Sequence, residues 1–390
     1  MIKVLVVYER MMATVAGMKE EYGCMFDGDK EIRFTIEEAE AVTKEQIDEA
    51  DIITLVRPEN SLAFRIASCA KKAGKGVVVF CDDDLLAIPV GINGTPLRKK
   101  VLKKTLEIAD AVESPSAYLA EKYSHKTKTG KYHVSKTSVA PKLLENNNDE
   151  KRQSDITKLV YAAGNDHAEL FRELIFPILP RLAVRYGSSI SLTFVGVHPD
   201  IDECNKYIKT YYQQGMPLDE YRRYMRENTF DIGLAPLKDT LFGRCKHYNK
   251  FVEYTIVGTP GIYSNVIPYT YVVTDEENGF LSDNDPEAWF ERICTAVDNE
   301  QLRSSCLKNA VDYLRINHDP DTVRRDYKGF YCSILKDKRK ECQYLAGLYK
   351  MEYLAQRLTD MTFLTVATLK KSGINGFIER TKMHITSFRK

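Results

Sequence analysis

The feature that most constrains this chain is a rhythm. Short apolar runs rich in β-branched residues alternate with stretches of helical spacing: KVLVVY at 3–8, DIITLV at 51–56, GVVVFC at 76–81 and AVES at 111–114. Runs apolar on both faces suit central parallel strands covered by helices. Helical spacing is read over 35–49, 61–73, 97–109 and 115–123, the last opening on Ser114 or Ser116 as a cap. Strand alternating with helix at this interval predicts an α/β fold with a doubly wound sheet.

The rhythm stops and restarts. Residues 142–155 turn polar, with Asn146, Asn147 and Asn148 inside a run of charges, and read as an interdomain linker. Beyond it, KLVYAAG (158–164), SLTFVGV (191–197) and FDIGLAPL (230–237) read as strands. Helices are expected at 168–186, bent or broken near Pro177 and Pro180, and at 218–227. The stretch 244–264, RCKHYNKFVEYTIVGTPGIYS, reads as a helix placing Lys246, Lys250 and Glu253 on one face at i, i+4 and i+7. Gly258 ends that helix, Thr259-Pro260-Gly261 forbids its continuation, and Ile262 starts a strand. A turn over 275–280 and helices over 285–297, 301–317 and 322–337 follow. The pattern from 343 to 390 is helical, with interruptions at Gly373 and Gly376. The expected organisation is two Rossmann-like domains, 1–150 and 156–337, and a helical segment, 338–390.

Composition narrows the classes. A chain of 390 residues, 44% hydrophobic and 28% charged, holds two soluble domains of ordinary size. A net charge of +1 supplies no global field to recruit nucleic acid. Nine cysteines, odd in number and without a CxxC pair, argue against a disulfide framework or zinc site and for a reducing cytosol. The apolar run in MIKVLVVYER is too short for a signal peptide, and no stretch approaches the roughly 20 apolar residues that span a bilayer.

Four places carry candidate chemistry. Gly164-Asn165-Asp166-His167 stands where a strand hands over to a helix; glycine admits a phosphate to the backbone, and the helix start and His167 supply donors. Ordinary capping by Asn165 or Asp166 explains two of the four residues. Arg244 and Lys246 precede or open the 244–264 helix and suit a diphosphate, whose departing negative charge fixed cations and a helix dipole can stabilise without a metal. Asp82, Asp83 and Asp84 repel one another, so at least one should seek a cation, and Arg57 at the end of the preceding strand is the obvious one. Capping and a structural salt bridge account for that cluster equally, and no nearby ligand completes a metal set. The tyrosines of 207–221 could stack on a base or simply pack. The tail places Lys370, Lys371, Arg380, Lys382, Arg389 and Lys390 against Glu379 alone; it could lie on an anionic membrane or pack back on the first domain.

The same residues carry a family resemblance. Lys246, Lys250, Glu253, Tyr254, Gly258, Pro260 and Ser264 resemble the K…K..EY…G.P…S segment of GT-B glycosyltransferases of family 4 (group 1) and its relatives. GNDH..L at 164–170 resembles their G..(T)H..D(L) turn, and VVVFCDDDLLAIP their first-domain segment, with Phe80 in place of its leading aspartate. Cys245 stands where the family's commoner form has a first glutamate, so the sugar contact of that glutamate does not carry over.

The resemblance implies a GT-B fold with a deep cleft and glycosyl transfer from a nucleotide-diphosphate sugar to a hydroxyl. No metal or other cofactor is expected. Donor binding would fall to Gly164, His167, Arg244, Lys246, Lys250 and Glu253, with Glu253 taking the ribose hydroxyls and the lysines lying near the diphosphate. Domain 1–150 would present the acceptor, with Asp82 or Asp83 as catalytic base and Arg57 beside them. A hexosyltransferase building cell-surface polysaccharide or glycolipid is the expectation, in the cytoplasm or on the inner face of a membrane, with a glycan or lipid-linked acceptor and no nucleic acid. Family 4 implies retention at the anomeric carbon; the acidic cluster leaves inversion open. A catalytically silent sugar-nucleotide-binding partner and a GT-B-fold epimerase are the alternatives.

Overall fold

The structure, a computed structural model, describes residues 1–91, 94–145, 155–164, 167–336 and 341–387, with side chains to Lys370 in the last segment. Asn146–Asn148 of the expected linker, Asn165 and Asp166 lie outside the described residues, as do the tail side chains beyond Lys370. The chain forms two compact units, Met1–Ser135 with Arg324–Lys390, and Lys136–Val323.

In the first unit the elements run β1 (Ile2–Tyr8), α1 (Ala13–Phe26), β2 (Ile32–Glu38), α2 (Lys44–Glu49), β3 (Ile52–Val56), α3 (Ser61–Lys72), β4 (Gly76–Phe80), α4 (Pro96–Ile108), β5 (Ala111–Ser114), α5 (Ala117–Ser124) and β6 (Tyr132–Val134). They build a parallel six-stranded sheet in the order β2-β1-β3-β4-β5-β6. β3 and β4 are buried at every position, as their apolar runs require. The helix read over 35–49 is a correction. Ile32, Phe34 and Ile36 alternate with Arg33, Thr35 and Glu37, a period of two, and this stretch pairs residue for residue with β1. Only Lys44–Glu49 is helical, opened by a Thr43–Gln46 capping box.

The second unit runs β7 (Thr157–Ala163), α6 (Ala168–Leu174), α7 (Leu179–Tyr186), β8 (Ile190–Gly196), α8 (Ile201–Asn205), β9 (Lys209–Gln214), α9 (Leu218–Glu227), β10 (Ile232–Ala235), α10 (Leu241–Arg244), α11 (Asn249–Ile256), β11 (Gly261–Ser264), β12 (Phe280–Ser282), α12 (Pro286–Asp298) and α13 (Glu300–Asn317). Its parallel sheet is ordered β12-β11-β10-β7-β8-β9. The expected break near Pro177 and Pro180 is a 3₁₀ turn, Phe176–Ile178, between α6 and α7. The unit begins before the polar stretch read as a linker. The Val139 N–H donates to the His318 carbonyl (2.8 Å), and Val139 and Leu144 are buried in its core.

Two helices close the chain, α14 (Pro320–Cys332) and α15 (Ala346–Ser387). The segment 324–337, expected in the second domain, belongs to the first unit because its tyrosines are core. Tyr327 packs on Tyr22 (5.7 Å between ring centres) and His133 (4.9 Å), and Tyr331 packs on Phe34 (5.3 Å). The Tyr331 hydroxyl donates to buried Glu113 (2.9 Å) and lies 3.0 Å from the Thr54 hydroxyl. α15 runs unbroken through Gly373 and Gly376, where interruptions were expected. Each glycine costs a helix about 1 kcal/mol, too little by itself to break one of 42 residues.

Candidate functional site

In the second unit the chain moves outward from β7 through β8 and β9, then returns to the other side of β7 as β10, β11 and β12. β7 and β10 flank the point where strand order reverses, the place where open α/β sheets leave a crevice beyond their carboxyl ends. A cavity of about 510 Å³ lies there, lined by Gly164 and His167 after β7, Gly196 of β8, Pro236 after β10, and Tyr221, Lys246, His247, Asn249 and Lys250. That volume suits a drug-sized ligand. Two glycines shape the region. Gly196 has φ +84°, and a Cβ there would meet the Ala163 carbonyl at 2.6 Å; a Cβ on Gly233 would lie 2.4 Å from the Tyr254 ring.

Tyr254 carries α11 into place. Fully buried, it donates its hydroxyl to the Leu234 carbonyl (3.1 Å) and accepts from the Ala162 N–H (3.4 Å), so it touches both strands at the reversal. One turn of α11 earlier, the Lys250 ammonium reaches Glu253 (2.5 Å) and the Tyr221 hydroxyl (3.0 Å), and Tyr221 donates to the same carboxylate oxygen (2.9 Å). Burial pulls the Lys250 ammonium down, but the Glu253 charge and hydrogen bond outweigh it and its pKa is raised. Lys250 stays charged.

Lys246 is not on that helix, contrary to the single-face reading. α10 ends at Arg244, Cys245–Tyr248 form a turn, and α11 starts only at Asn249. The break buries Tyr248, 8% exposed, in the core. Lys246 reaches the cavity from the turn, its ammonium 4.7 Å from the centre of the Phe242 ring. Arg244 is held in a bidentate pair with Asp239 (2.8 and 3.1 Å), half-exposed. So Gly164, His167, Lys246 and Lys250 line one cavity and Glu253 stands behind Lys250, while Arg244 does not line it. Tyr221, at the end of the tyrosine-rich stretch weighed for stacking and within α9, also lines the cavity. His247 and Asn249 were missed and had no signal. His247 Nδ1 sits 2.5 Å from Asn249 Oδ1, and its buried Nε2 has no protein partner among the described residues. Burial pushes this imidazole down to about 4, so it is neutral near pH 7.

The first unit has its own reversal between β1 and β3. Arg57, just past β3, binds Asp82 through Nε and Asp83 through Nη2 (2.9 Å), and the Thr14 hydroxyl donates to Asp82 (2.5 Å). Asp84 turns inward to Lys122 (2.5 Å) and the Tyr123 hydroxyl (2.8 Å). Each carboxylate of the cluster thus has a cation, as their mutual repulsion demands. Glu9, just past β1, was not anticipated, although a carboxylate at that sheet edge is the signal. It accepts from the N–H groups of Glu59 (2.6 Å) and Asn60 (2.7 Å), and burial pushes it up to about 8. Among the described residues no group of three or more His, Cys, Asp or Glu is placed to hold a metal ion.

No protein-family model matches the sequence, and no curated protein matches it. Solved structures match its fold. Sucrose-phosphate synthase from Thermosynechococcus elongatus superposes with a TM-score of 0.59 at 12% identity, over 85% of this chain and 99% of that one. HepE from Anabaena, solved in complex with UDP and glucose, gives 0.57 at 12% identity over 85% and 100%. A glycosyltransferase from Rickettsia africae gives 0.56 at 13% identity over 86% and 99%. With its two parallel six-stranded sheets, the chain has the GT-B fold expected for it.

Proposed function

We propose that this chain is a glycosyltransferase, with a nucleoside-diphosphate sugar seated in the cavity at the β7–β10 reversal. The observation that carries the reading is that Lys246 and Lys250 line that cavity beside Gly164 and His167, with Glu253 bound to Lys250. Glu253 receives ribose hydroxyls. Lys246, with Gly164 and His167, holds the diphosphate, stabilising the charge that grows as it leaves. The UDP bound by HepE supports uracil as the first base to try. Cys245 is buried where the family has its first glutamate, so the sugar is held by other groups. The acceptor hydroxyl loses its proton to Asp82 or Asp83 of the first unit, beside Arg57. Within this reading the enzyme is a metal-independent hexosyltransferase of family 4 type, builds surface polysaccharide or glycolipid from the cytoplasmic side, and meets a membrane through its basic C-terminal segment.

The test is titration calorimetry with UDP, ADP, GDP and the matching nucleosides. One diphosphate should bind. Glu253→Gln should weaken it by roughly 1.5–3 kcal/mol, the value of a hydrogen bond to a charged group. Lys246→Ala should weaken the diphosphate far more than the nucleoside. No binding by any diphosphate, or equal loss for both ligands, would remove the donor site from this cavity.

A further inference from the structure

α15 is amphipathic the wrong way round for a helix that only docks on its own protein. Around buried Tyr353, the face turned to the rest of the first unit is largely polar. Gln356 accepts from the Ser61 N–H (2.6 Å) and donates to the Glu59 carbonyl (3.0 Å). Asp360 accepts from the Thr95 hydroxyl (2.5 Å) and from Arg98 (3.3 Å), and Glu352 takes both arms of Arg65 (2.8 and 3.0 Å). The opposite face is apolar and open. Met351, Leu354, Leu358 and Met361, at i, i+3, i+7 and i+10, are 69%, 53%, 67% and 62% exposed, and Val366 and Leu369 continue the stripe. A contiguous apolar stripe of this kind marks a surface that something covers.

Charge selects what covers it. From Ala346 to Lys370 the helix has two acidic residues, Glu352 and Asp360, and both are tied to arginines on the protein-facing side. Of its cations, Arg357 lies 4.0 Å from Glu40 of the first unit, while Lys350 and Lys370 are exposed beside the stripe. A second copy of this face would bring no untied carboxylate to meet Lys350 and Lys370. An anionic lipid surface neutralises them while the apolar stripe enters the headgroup boundary. No helix among the described residues is long and apolar enough to cross a membrane, so the mode is lying on the surface. We propose that α15 seats the first unit on an anionic phospholipid bilayer through the Met351–Leu354–Leu358–Met361 face. This deepens the membrane reading above and rests on it, moving the principal contact from the tail cations to an apolar stripe. It is independent of the donor site.

The experiment is co-sedimentation of the full chain with phosphatidylcholine vesicles, with and without phosphatidylglycerol. The chain should pellet with the anionic vesicles and be released by salt. Leu354→Glu combined with Leu358→Glu should lower the partition at least about tenfold, with melting temperature and UDP binding unchanged, because both side chains are more than half exposed. Failure to pellet with anionic vesicles, or equal pelleting of the double variant, would overturn the proposal and leave the donor reading intact. So would a lipid-free dimer in sedimentation velocity that the double variant dissolves, which would give the face to a second copy.

Discussion

Arg57 carries φ +48°, one of two non-glycine residues with positive φ among those described. Left-handed backbone costs a long side chain of order 1–3 kcal/mol and persists only where its surroundings hold it. Here the guanidinium is locked between Asp82 and Asp83. Burial works against its charge, and the two carboxylates more than offset that, so its pKa is raised. The pair of aspartates is thereby fixed at the carboxyl end of β4 with both side chains partly exposed. If one is the base, Asp82→Asn or Asp83→Asn should lower turnover of the donor by about 10²–10⁴. UDP affinity should not change, since the cavity at β7 and β10 is built by other residues. Steady-state rates and calorimetry on each variant separate the outcomes. Full activity with a lower melting temperature would reduce the cluster to a structural ion pair.

At the scale of elements, α11 depends on an absence of side chain. Gly233 in β10 leaves the space that the Tyr254 ring fills, and Tyr254 fixes α11 against β7 and β10. Gly233→Ala would drive a methyl into that ring, so overpacking should cost about 1–3 kcal/mol and shift Lys250 and Glu253 together. Thermal unfolding and UDP titration should both worsen; a variant with wild-type values in both would show that Tyr254 does not set the site. This dependence was not legible in the sequence. Periodicity reveals a buried strand around Ile232 and a helix ended by Gly258, which takes φ +73°, but not that one strand glycine faces one helix tyrosine. The break at 245–248 was illegible for a related reason. Lys246, Lys250 and Glu253 have perfect helical spacing, yet burying Tyr248 decided the backbone. Local spacing predicted the central strands and most of the longer helices, because both faces of a central strand must be apolar, but it missed the edge strands β2, β6 and β9 and the helix α1. It failed at 35–49, where a strand on the sheet edge alternates polar and apolar residues and its charges read as helix surface.

At the scale of the whole molecule, the first unit holds carboxyl groups that burial has pushed toward the protonated form: Glu9, Glu59 and Glu113. The sign of their effect on stability follows from linkage. Glu9 titrates near 4.5 when unfolded and about 8 when folded, so across that window the folded chain keeps a proton that the unfolded chain has released. Stability from this group is therefore greatest below pH 4.5, falls as pH rises through the window, and is level above 8. One such group contributes a slope of at most about 1.4 kcal/mol per pH unit, and Glu59 and Glu113 add to it in the same direction. Glu9→Gln keeps an amide oxygen to accept from the Glu59 and Asn60 N–H groups but cannot titrate. Its melting temperature, followed by calorimetry from pH 5 to 8, should fall less steeply than that of the wild-type chain, the gap between the two opening as pH rises. Parallel curves for the two proteins would mean that Glu9 is ionised throughout, held by its two backbone hydrogen bonds against the cost of burial.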